Sequence, residues 1–122
     1  MEIKDYEKLS CIKIFDEMNG KVIDYPISKN IIIFEGEYLN GKRNGKGKKY
    51  YDDGNLMFEG EYLNGKRNGK GKEYFKNGKL KFDGEYLNGK KWNGSEYNKN
   101  GIKEFEIENG FRKRCHKWSK ST

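Results

Sequence analysis

The sequence lacks the apolar content that a rounded core requires. Only 33% of its 122 residues are hydrophobic, whereas 37% are charged. A chain of this length forms one domain at most, and this composition leaves little to bury in a compact globule. The longest purely aliphatic run is residues 31–33, three isoleucines, far short of the roughly 20 apolar residues of a membrane-spanning helix. A compact globule and a membrane span are both disfavoured.

Cysteine is also scarce. Cys11 and Cys115 lie near opposite ends of the sequence, which suits two free thiols in a reducing compartment better than a disulfide framework. Residues 1–6 have no apolar stretch of the signal-peptide kind. We therefore expect a cytoplasmic protein, with peripheral membrane or cytoskeletal association left open.

Residues for metal binding or catalysis are few. The one histidine, His116, lies beside Cys115, but a structural zinc site takes four ligands at suitable spacing. The glycine-rich segment 41–47 lacks the Gly-Lys-Ser/Thr ending and the strand-to-helix context of a phosphate-binding loop. Glutamates are better explained as partners of lysines across a sheet than as general bases. We expect no metal, no cofactor and no enzymatic activity.

Aromatic residues, in contrast, are plentiful, with nine tyrosines, seven phenylalanines and two tryptophans. Disordered chains are poor in aromatics, so these residues indicate an ordered structure. The net charge of +7 favours anionic partners without choosing among lipid head groups, nucleic acid and acidic proteins.

An internal repeat organises the chain. Residues 34–48 recur without change at 58–72, a period of 24 residues. A third copy begins at Phe82 and departs from the pattern at Trp92, where it is one residue shorter. Fainter units flank these copies at 15–21 and 105–110, and atypical end units are what repeat arrays use as caps.

Asn-Gly and Asp-Gly dipeptides separate short runs rich in aromatic residues, a pattern that predicts two-residue hairpin turns. The predicted turn glycines are Gly41, Gly54, Gly65, Gly78, Gly89 and Gly101. Each repeat is then two strands and two turns, with turns alternating between the two rims of one sheet. The segments 11–15 and 22–25, around Asn19-Gly20, favour a capping hairpin.

The turn positions also predict a register. A two-residue loop at Asn64-Gly65 pairs Tyr62 with Arg67, Gly60 with Gly69, Glu59 with Lys70 and Phe58 with Gly71. A loop at Asn77-Gly78 pairs Phe75 with Leu80 and Tyr74 with Lys81. One face then carries rings over glycines, namely Leu56, Phe58, Gly60, Tyr62, Gly69, Gly71 and Phe75. The other face carries the charges Glu59, Glu61, Lys70 and Lys72.

The fold class that follows is all-β, an elongated, single-layer, twisted antiparallel β-meander in a solenoid-like array of hairpin repeats. Its predicted organisation is a capping segment at 1–33, repeats at 34–110 and a basic tail at 111–122. The repeats divide into 34–57, 58–81, 82–103 and a partial unit at 104–110. Equivalent residues stack roughly 10 Å apart per repeat, because strands lie about 4.8 Å apart.

The repeated Gly-Glu-Tyr-Leu-Asn-Gly-Lys-Arg-Asn-Gly-Lys-Gly resembles the consensus of the MORN (membrane occupation and recognition nexus) repeat. The resemblance covers residues 34 to 110 and is specific at the two identical copies. It implies a curved β-sheet that acts as a scaffold, contacts anionic membranes, dimerises, or accompanies a catalytic domain. No catalytic domain is apparent in this sequence.

Three kinds of function stay open. We favour a protein-binding scaffold that uses an aromatic face, left partly exposed in a single layer. That face comprises Phe34, Tyr38, Phe58, Tyr62, Phe82 and Tyr86.

The alternative is binding to anionic, phosphoinositide-containing membranes through the tail and a basic rim. The predicted rim comprises Lys42, Arg43, Lys66, Arg67, Lys90 and Lys91. Nucleic acid is the weakest candidate, because the sheet needs the aromatics and no nucleic-acid motif is present. A homodimer stays open.

Overall fold

The computed structural model describes the backbone of residues 11–16 and 21–26, and both backbone and side chains of residues 32–115. This part of the chain forms ten strands and no helix. The strands are β1 Cys11–Asp16, β2 Lys21–Pro26, β3 Phe34–Leu39, β4 Lys42–Tyr50, β5 Leu56–Leu63, β6 Lys66–Tyr74, β7 Leu80–Leu87, β8 Lys90–Tyr97, β9 Lys103–Glu108 and β10 Phe111–Arg114.

All ten strands belong to one antiparallel sheet in which spatial order equals sequence order. The predicted all-β meander of hairpin repeats is confirmed. The expected N-terminal hairpin is present as β1 and β2, with Ile14 opposite Ile23. It extends the sheet directly, since Asp24 of β2 lies opposite Phe34 of β3.

The two rims use different turns. On the rim of Asn64-Gly65 both turn residues have positive φ, 50° and 87°, which is the type I′ geometry of a two-residue loop. On the rim of Gly78 only the glycine has positive φ, 88°. There Gly78 N–H donates to the Phe75 carbonyl and Phe75 N–H to the Lys79 carbonyl, each at 2.9 Å. These loops therefore have three residues, and the prediction of two-residue loops on this rim was wrong.

The register is the second correction. Tyr62 pairs with Arg67 as predicted, but Gly60 pairs with Gly71 and Phe58 with Glu73. A bulge in β6 causes the two-residue shift, because Gly69 has a φ of 103° and the chain there leaves the ladder.

A carboxylate stabilises this bulge. Lys70 N–H donates to Oε1 of Glu61 at 2.9 Å, and Lys46 N–H donates to Glu37 in the preceding repeat at 2.8 Å. Gly69 therefore does not lie on the predicted aromatic face. A Cβ on Gly69 would point at the Glu61 carboxylate and not at the rings. Glu73 takes a place on that face.

The same correction applies after the next turn, where Tyr74 pairs with Leu80 and Glu73 with Phe82. The third copy, one residue shorter, keeps the architecture because its bulge is smaller. There Gly84 pairs with Gly94 while Tyr86 pairs with Lys91.

Aromatic rings form the core on one face of the layer. Phe34, Phe58 and Phe82 alternate with tyrosines at centroid distances of 5.2 to 6.0 Å, all edge to face. This is the favourable geometry for ring quadrupoles. The predicted ladder of phenylalanines and tyrosines is confirmed.

Glycines make room for the rings. A Cβ on Gly71 would lie 2.7 Å from the Phe58 ring and 3.0 Å from that of Tyr86, and one on Gly47 would lie 2.6 Å from the Phe34 ring. No real Cβ fits at such distances, so the repeated Gly-x-Gly is a packing requirement of the aromatic ladder.

Candidate functional site

The aromatic face is closed rather than exposed. Phe34, Phe58 and Phe82 are 0% exposed, and Tyr62 and Tyr86 are almost as deeply buried. Only Tyr38, at the N-terminal end of the ladder, is partly buried. The expectation that this face stays partly exposed was therefore wrong for five of its six rings. Any partner that binds at this face therefore contacts the residues that cover the rings.

Cations cover the rings. The guanidinium carbon of Arg43 lies 3.8 Å from the Phe34 centroid, and that of Arg67 lies 3.9 Å from the Phe58 centroid. Lys91 Nζ lies 5.0 Å from the Phe82 centroid. Each contact is a cation–π interaction. The predicted basic rim is thus divided, because Arg43, Arg67 and Lys91 fold onto the aromatic face.

Glutamates pair with two of these cations. Arg67 donates to Glu73 at 2.8 Å, and Lys91 lies 3.3 Å from Glu73 and 2.7 Å from Glu96. Burial by itself raises the pKa of Glu73, but the hydrogen bond from Arg67 and the charges of Lys91 and Arg67 outweigh it and hold that pKa below its usual value. The pairs are therefore charged near neutral pH.

One buried hydroxyl lacks a partner. Tyr38 OH lies 3.4 Å from Arg43 Nε, whereas Tyr86 OH is buried without a hydrogen-bond partner among the described residues. The third copy has Lys91 where the first two have arginine, and a lysine lacks the second and third nitrogen donors of a guanidinium. Burial and the nearby Glu73 raise the pKa of Tyr86.

The other half of the predicted basic rim, Lys42, Lys66 and Lys90, is exposed on the rim of the type I′ turns. A leucine lies opposite each lysine in the register. These leucines are Leu39, Leu63 and Leu87, with exposures of 58%, 49% and 42%. We call these six residues the leucine–lysine rim.

Backbone contacts fix the rim from one repeat to the next. Gly65 N–H donates to the Arg43 carbonyl at 2.8 Å, and Gly89 N–H donates to that of Arg67 at the same distance. The side chain of Asn68 accepts from Asn88 N–H at 2.9 Å. Each turn thus rests on the bulge of the preceding repeat, and the leucine–lysine rim is a fixed line rather than a set of independent loops.

The face opposite the rings carries charge. A groove of about 690 Å³ crosses it above the glycine row, with four lysines and five acidic residues along its walls. Because the signs nearly cancel, this groove does not select anions. Two glutamates of the groove accept hydrogen bonds from tyrosines, Glu35 from Tyr50 and Glu59 from Tyr74, each at 2.7 Å. Burial together with the hydrogen bond to Glu59 raises the pKa of Tyr74 to about 12. The predicted charged face is confirmed for Glu59, Glu61, Lys70 and Lys72, with Glu59 opposite Lys72.

The described part of the tail is the edge strand β10, where Phe111 is 78% exposed. Arg112 and Arg114 both lie over the Phe105 ring, at 4.1 and 4.6 Å. Cys115 is a free thiol. His116, the other candidate metal ligand, lies outside the described residues, and those residues include no group of three or more acidic, histidine or cysteine side chains placed to hold a metal.

No helix long and apolar enough to cross a membrane occurs in the described ranges.

The fold and its site define a class of protein. It is a single-layer array of β-hairpin repeats whose aromatic core is covered by cations and whose rim carries exposed leucines and lysines.

Comparison with known families agrees with this class. The model of the MORN repeat matches residues 34–56 and 58–79, so these two segments are MORN repeats. Such repeats are generally non-catalytic modules for interaction with proteins or membranes. No curated protein matches the chain.

Sequence reasoning missed two groups of residues. The rim leucines were hidden because Leu39, Leu63 and Leu87 each follow a ladder tyrosine, and only the pleat shows that they point away from the core. The position of Glu73 between two cations depends on the bulge at Gly69. In the sequence, the only sign of this bulge is the additional glycine that follows each Asn-Gly turn.

Proposed function

We propose that this chain is a non-catalytic scaffold that binds a protein partner through the leucine–lysine rim. The observation that carries the proposal is the exposure of Leu39, Leu63 and Leu87, since the phenylalanines of the ladder are fully buried. Scattered surface leucines are ordinary, but these three recur at equivalent positions, roughly 10 Å apart on a fixed rim, and so form a regular row that alternates with the rim lysines. Lysines beside it favour an acidic, amphipathic partner.

A second candidate is peripheral attachment to an anionic membrane. The same rim favours it, because apolar side chains that enter the head-group region and lysines that meet lipid phosphates act together. Three lysines near an anionic surface contribute about 3 kcal/mol, which gives weak, salt-sensitive attachment.

The experiment compares two triple variants, Leu39→Ser/Leu63→Ser/Leu87→Ser and Lys42→Ser/Lys66→Ser/Lys90→Ser. The control is Ile102→Ser, which alters an apolar residue of similar exposure, 45%, away from this rim. Affinity enrichment from the source cells, followed by titration of the purified partner, should show binding lost in the leucine variant and retained in the control.

Vesicle flotation with neutral and phosphoinositide-containing liposomes tests the second candidate. Salt-sensitive flotation with anionic vesicles, abolished in both triple variants, would favour the membrane over a protein. A partner that binds wild type and the leucine variant equally would refute the proposed rim.

A further inference from the structure

A fourth turn continues the rim that carries the exposed leucines and lysines. Asn109 and Gly110 have φ angles of 51° and 84°, as in the type I′ turns before them. Gly110 N–H donates to the Trp92 carbonyl at 2.9 Å. Asn109 N–H donates to the Asn93 side chain, also at 2.9 Å. The two preceding turns are held by the same pair of contacts, so the fourth turn lies on the same fixed line.

The fourth turn carries different residues at the two rim positions. In register order the rim reads Leu39, Lys42, Leu63, Lys66, Leu87, Lys90, Glu108 and Phe111. Glu108 takes the position of a leucine and Phe111 that of a lysine, and both are exposed. The rim is therefore basic and apolar over three repeats and acidic at its C-terminal end.

The rim lysines have no acidic partner within the part of the chain that the structure describes. The side chains of Lys42, Lys66 and Lys90 form neither a hydrogen bond nor an ion pair with another described residue. They differ in this from the cations that cover the rings. Carboxylates are the groups that complement such a row of exposed ammonium groups.

The spacing of the lysines selects the conformation of the partner. Successive rim lysines lie two strands apart, which is roughly 9.6 Å at a strand spacing of about 4.8 Å. A polyproline II segment advances about 9.3 Å in three residues and returns every third side chain to the same side. An α-helix returns to one side after about 10.5 Å, or seven residues, and a β-strand after about 6.8 Å. Polyproline II therefore matches the lysine spacing most closely.

We propose that the leucine–lysine rim binds a polyproline II segment of the protein partner that carries a carboxylate at every third residue. The carboxylates meet Lys42, Lys66 and Lys90, and prolines between them contact the leucines that lie midway between the lysines. Glu108 ends the acidic tract, because a fourth carboxylate at the same spacing would reach a turn that is itself acidic. The inference rests on the proposed protein-binding function and specifies the chemistry of the partner.

The probe is the peptide (Glu-Pro-Pro)3, titrated into the isotope-labelled protein and followed by NMR. Each glutamate precedes a proline, so the peptide already favours this extended conformation. Wild type should show saturable shifts at the type I′ turns. The isomer Glu-Pro-Glu-Pro-Glu-Pro-Pro-Pro-Pro should bind about threefold or more weakly, because its carboxylates are roughly 6 Å apart and do not meet successive lysines.

Two triple variants with the same change of net charge locate the binding site. The first replaces the rim lysines, Lys42→Ser/Lys66→Ser/Lys90→Ser. The control replaces three exposed lysines of the charged face, Lys48→Ser/Lys70→Ser/Lys72→Ser. At about 0.1 M salt, where charges more than about 10 Å apart are largely screened, the first should weaken binding about tenfold and the control less than about twofold.

The acid at the fourth turn predicts a gain of binding. The longer peptide (Glu-Pro-Pro)4 brings a fourth carboxylate to Glu108, so Glu108→Lys should bind it about threefold more tightly than wild type does. The matched control is Asp83→Lys, the same reversal of charge at an exposed acid of the charged face. This control should bind the longer peptide as wild type does.

Equal binding of the two isomeric peptides, equal weakening in the two triple variants, or no saturable binding by wild type would overturn the inference. Tighter binding of a helical peptide with glutamates seven residues apart would overturn the assignment to polyproline II. These failures leave the proposed function standing, because the leucine variant tests recognition of the natural partner, whereas the peptides test only its charge spacing and conformation. A natural partner that binds the leucine variant normally refutes the proposed function instead.

Discussion

At the scale of single residues, the repeat is governed by what a phenylalanine ring needs around it. Phe58 has glycine beneath it, tyrosine edges on both sides and Arg67 above it. A single-layer sheet has no second layer to cover its core, so the cation supplies the cover. Burial of a ring in one layer therefore depends on small residues and on a guanidinium together.

Gly71→Ala should destabilise the protein by about 1–3 kcal/mol, because the added Cβ meets the rings of Phe58 and Tyr86 in a packed array. Urea unfolding measures the change. Lys72→Ala, at the exposed neighbouring position, should change stability by less than about 0.5 kcal/mol. Equal effects of the two changes would mean that the rings do not require the glycine.

Lys91→Arg should stabilise the protein by about 0.5–1.5 kcal/mol, because a guanidinium provides a donor for the buried Tyr86 hydroxyl. The reciprocal change, Arg67→Lys, should destabilise it. Both are read from thermal and urea unfolding. Identical stability of Lys91→Arg and wild type would show that the hydroxyl gains no partner.

Acid should weaken the ion-pair network. The pKa of Glu73 lies below its usual value, so its contribution to stability is complete above the unfolded-state pKa and is lost as the pH falls through the lower folded-state pKa. The free energy of unfolding should therefore fall as the pH drops below the ordinary glutamate pKa of 4.5. The fall should be smaller in Glu73→Gln, and an equal fall in this variant and in wild type would contradict the role of the Glu73 ion pairs.

At the scale of strands and turns, the bulge is the element that positions the site. Two extra residues in β6 move Glu73 opposite Phe58 and bring it between Arg67 and Lys91. The bulge also supports the next turn, because the Asn68 side chain accepts a hydrogen bond from the Asn88 N–H of that turn. Site and rim are therefore consequences of the same local departure from a regular ladder.

Asn68→Ala should loosen the next turn without unfolding the sheet, because Asn88 N–H loses its acceptor. Hydrogen exchange of the Asn88 and Gly89 amides should become faster, while exchange of the Phe58 amide stays slow. Uniformly faster exchange throughout the chain would contradict this local role.

The sequence was sufficient for the strands, the Asn-Gly turns and the ring ladder, because each has a local signature repeated every 24 residues. It was insufficient for the register. A two-residue loop at Gly65 predicts the pair Tyr62–Arg67 correctly, but the bulge at Gly69 depends on the Glu61 side chain accepting a backbone N–H. Such a contact leaves no signal in the alternation of residues along a strand, so Arg67 was placed on the rim instead of over Phe58.

At the scale of the whole molecule, the residues that stabilise the layer differ from those that form its exposed rim. Aromatic residues, glycines and half of the basic pairs hold the layer together, whereas the rim leucines and the remaining lysines lie at the surface in a fixed line. Because each repeat contacts mainly its neighbours, the line lengthens with each added repeat. We therefore propose that recognition occurs at the leucine–lysine rim and not at the aromatic rings themselves.

Hydroxyl-radical footprinting of the free protein and of its complex with the purified partner tests this claim most directly. We predict that Leu39, Leu63 and Leu87 are modified in the free protein and protected in the complex, while Phe34, Phe58 and Phe82 remain unmodified in both. Modification of the phenylalanines in the free protein, with protection in the complex and no change at the leucines, would contradict the account and return recognition to the aromatic rings.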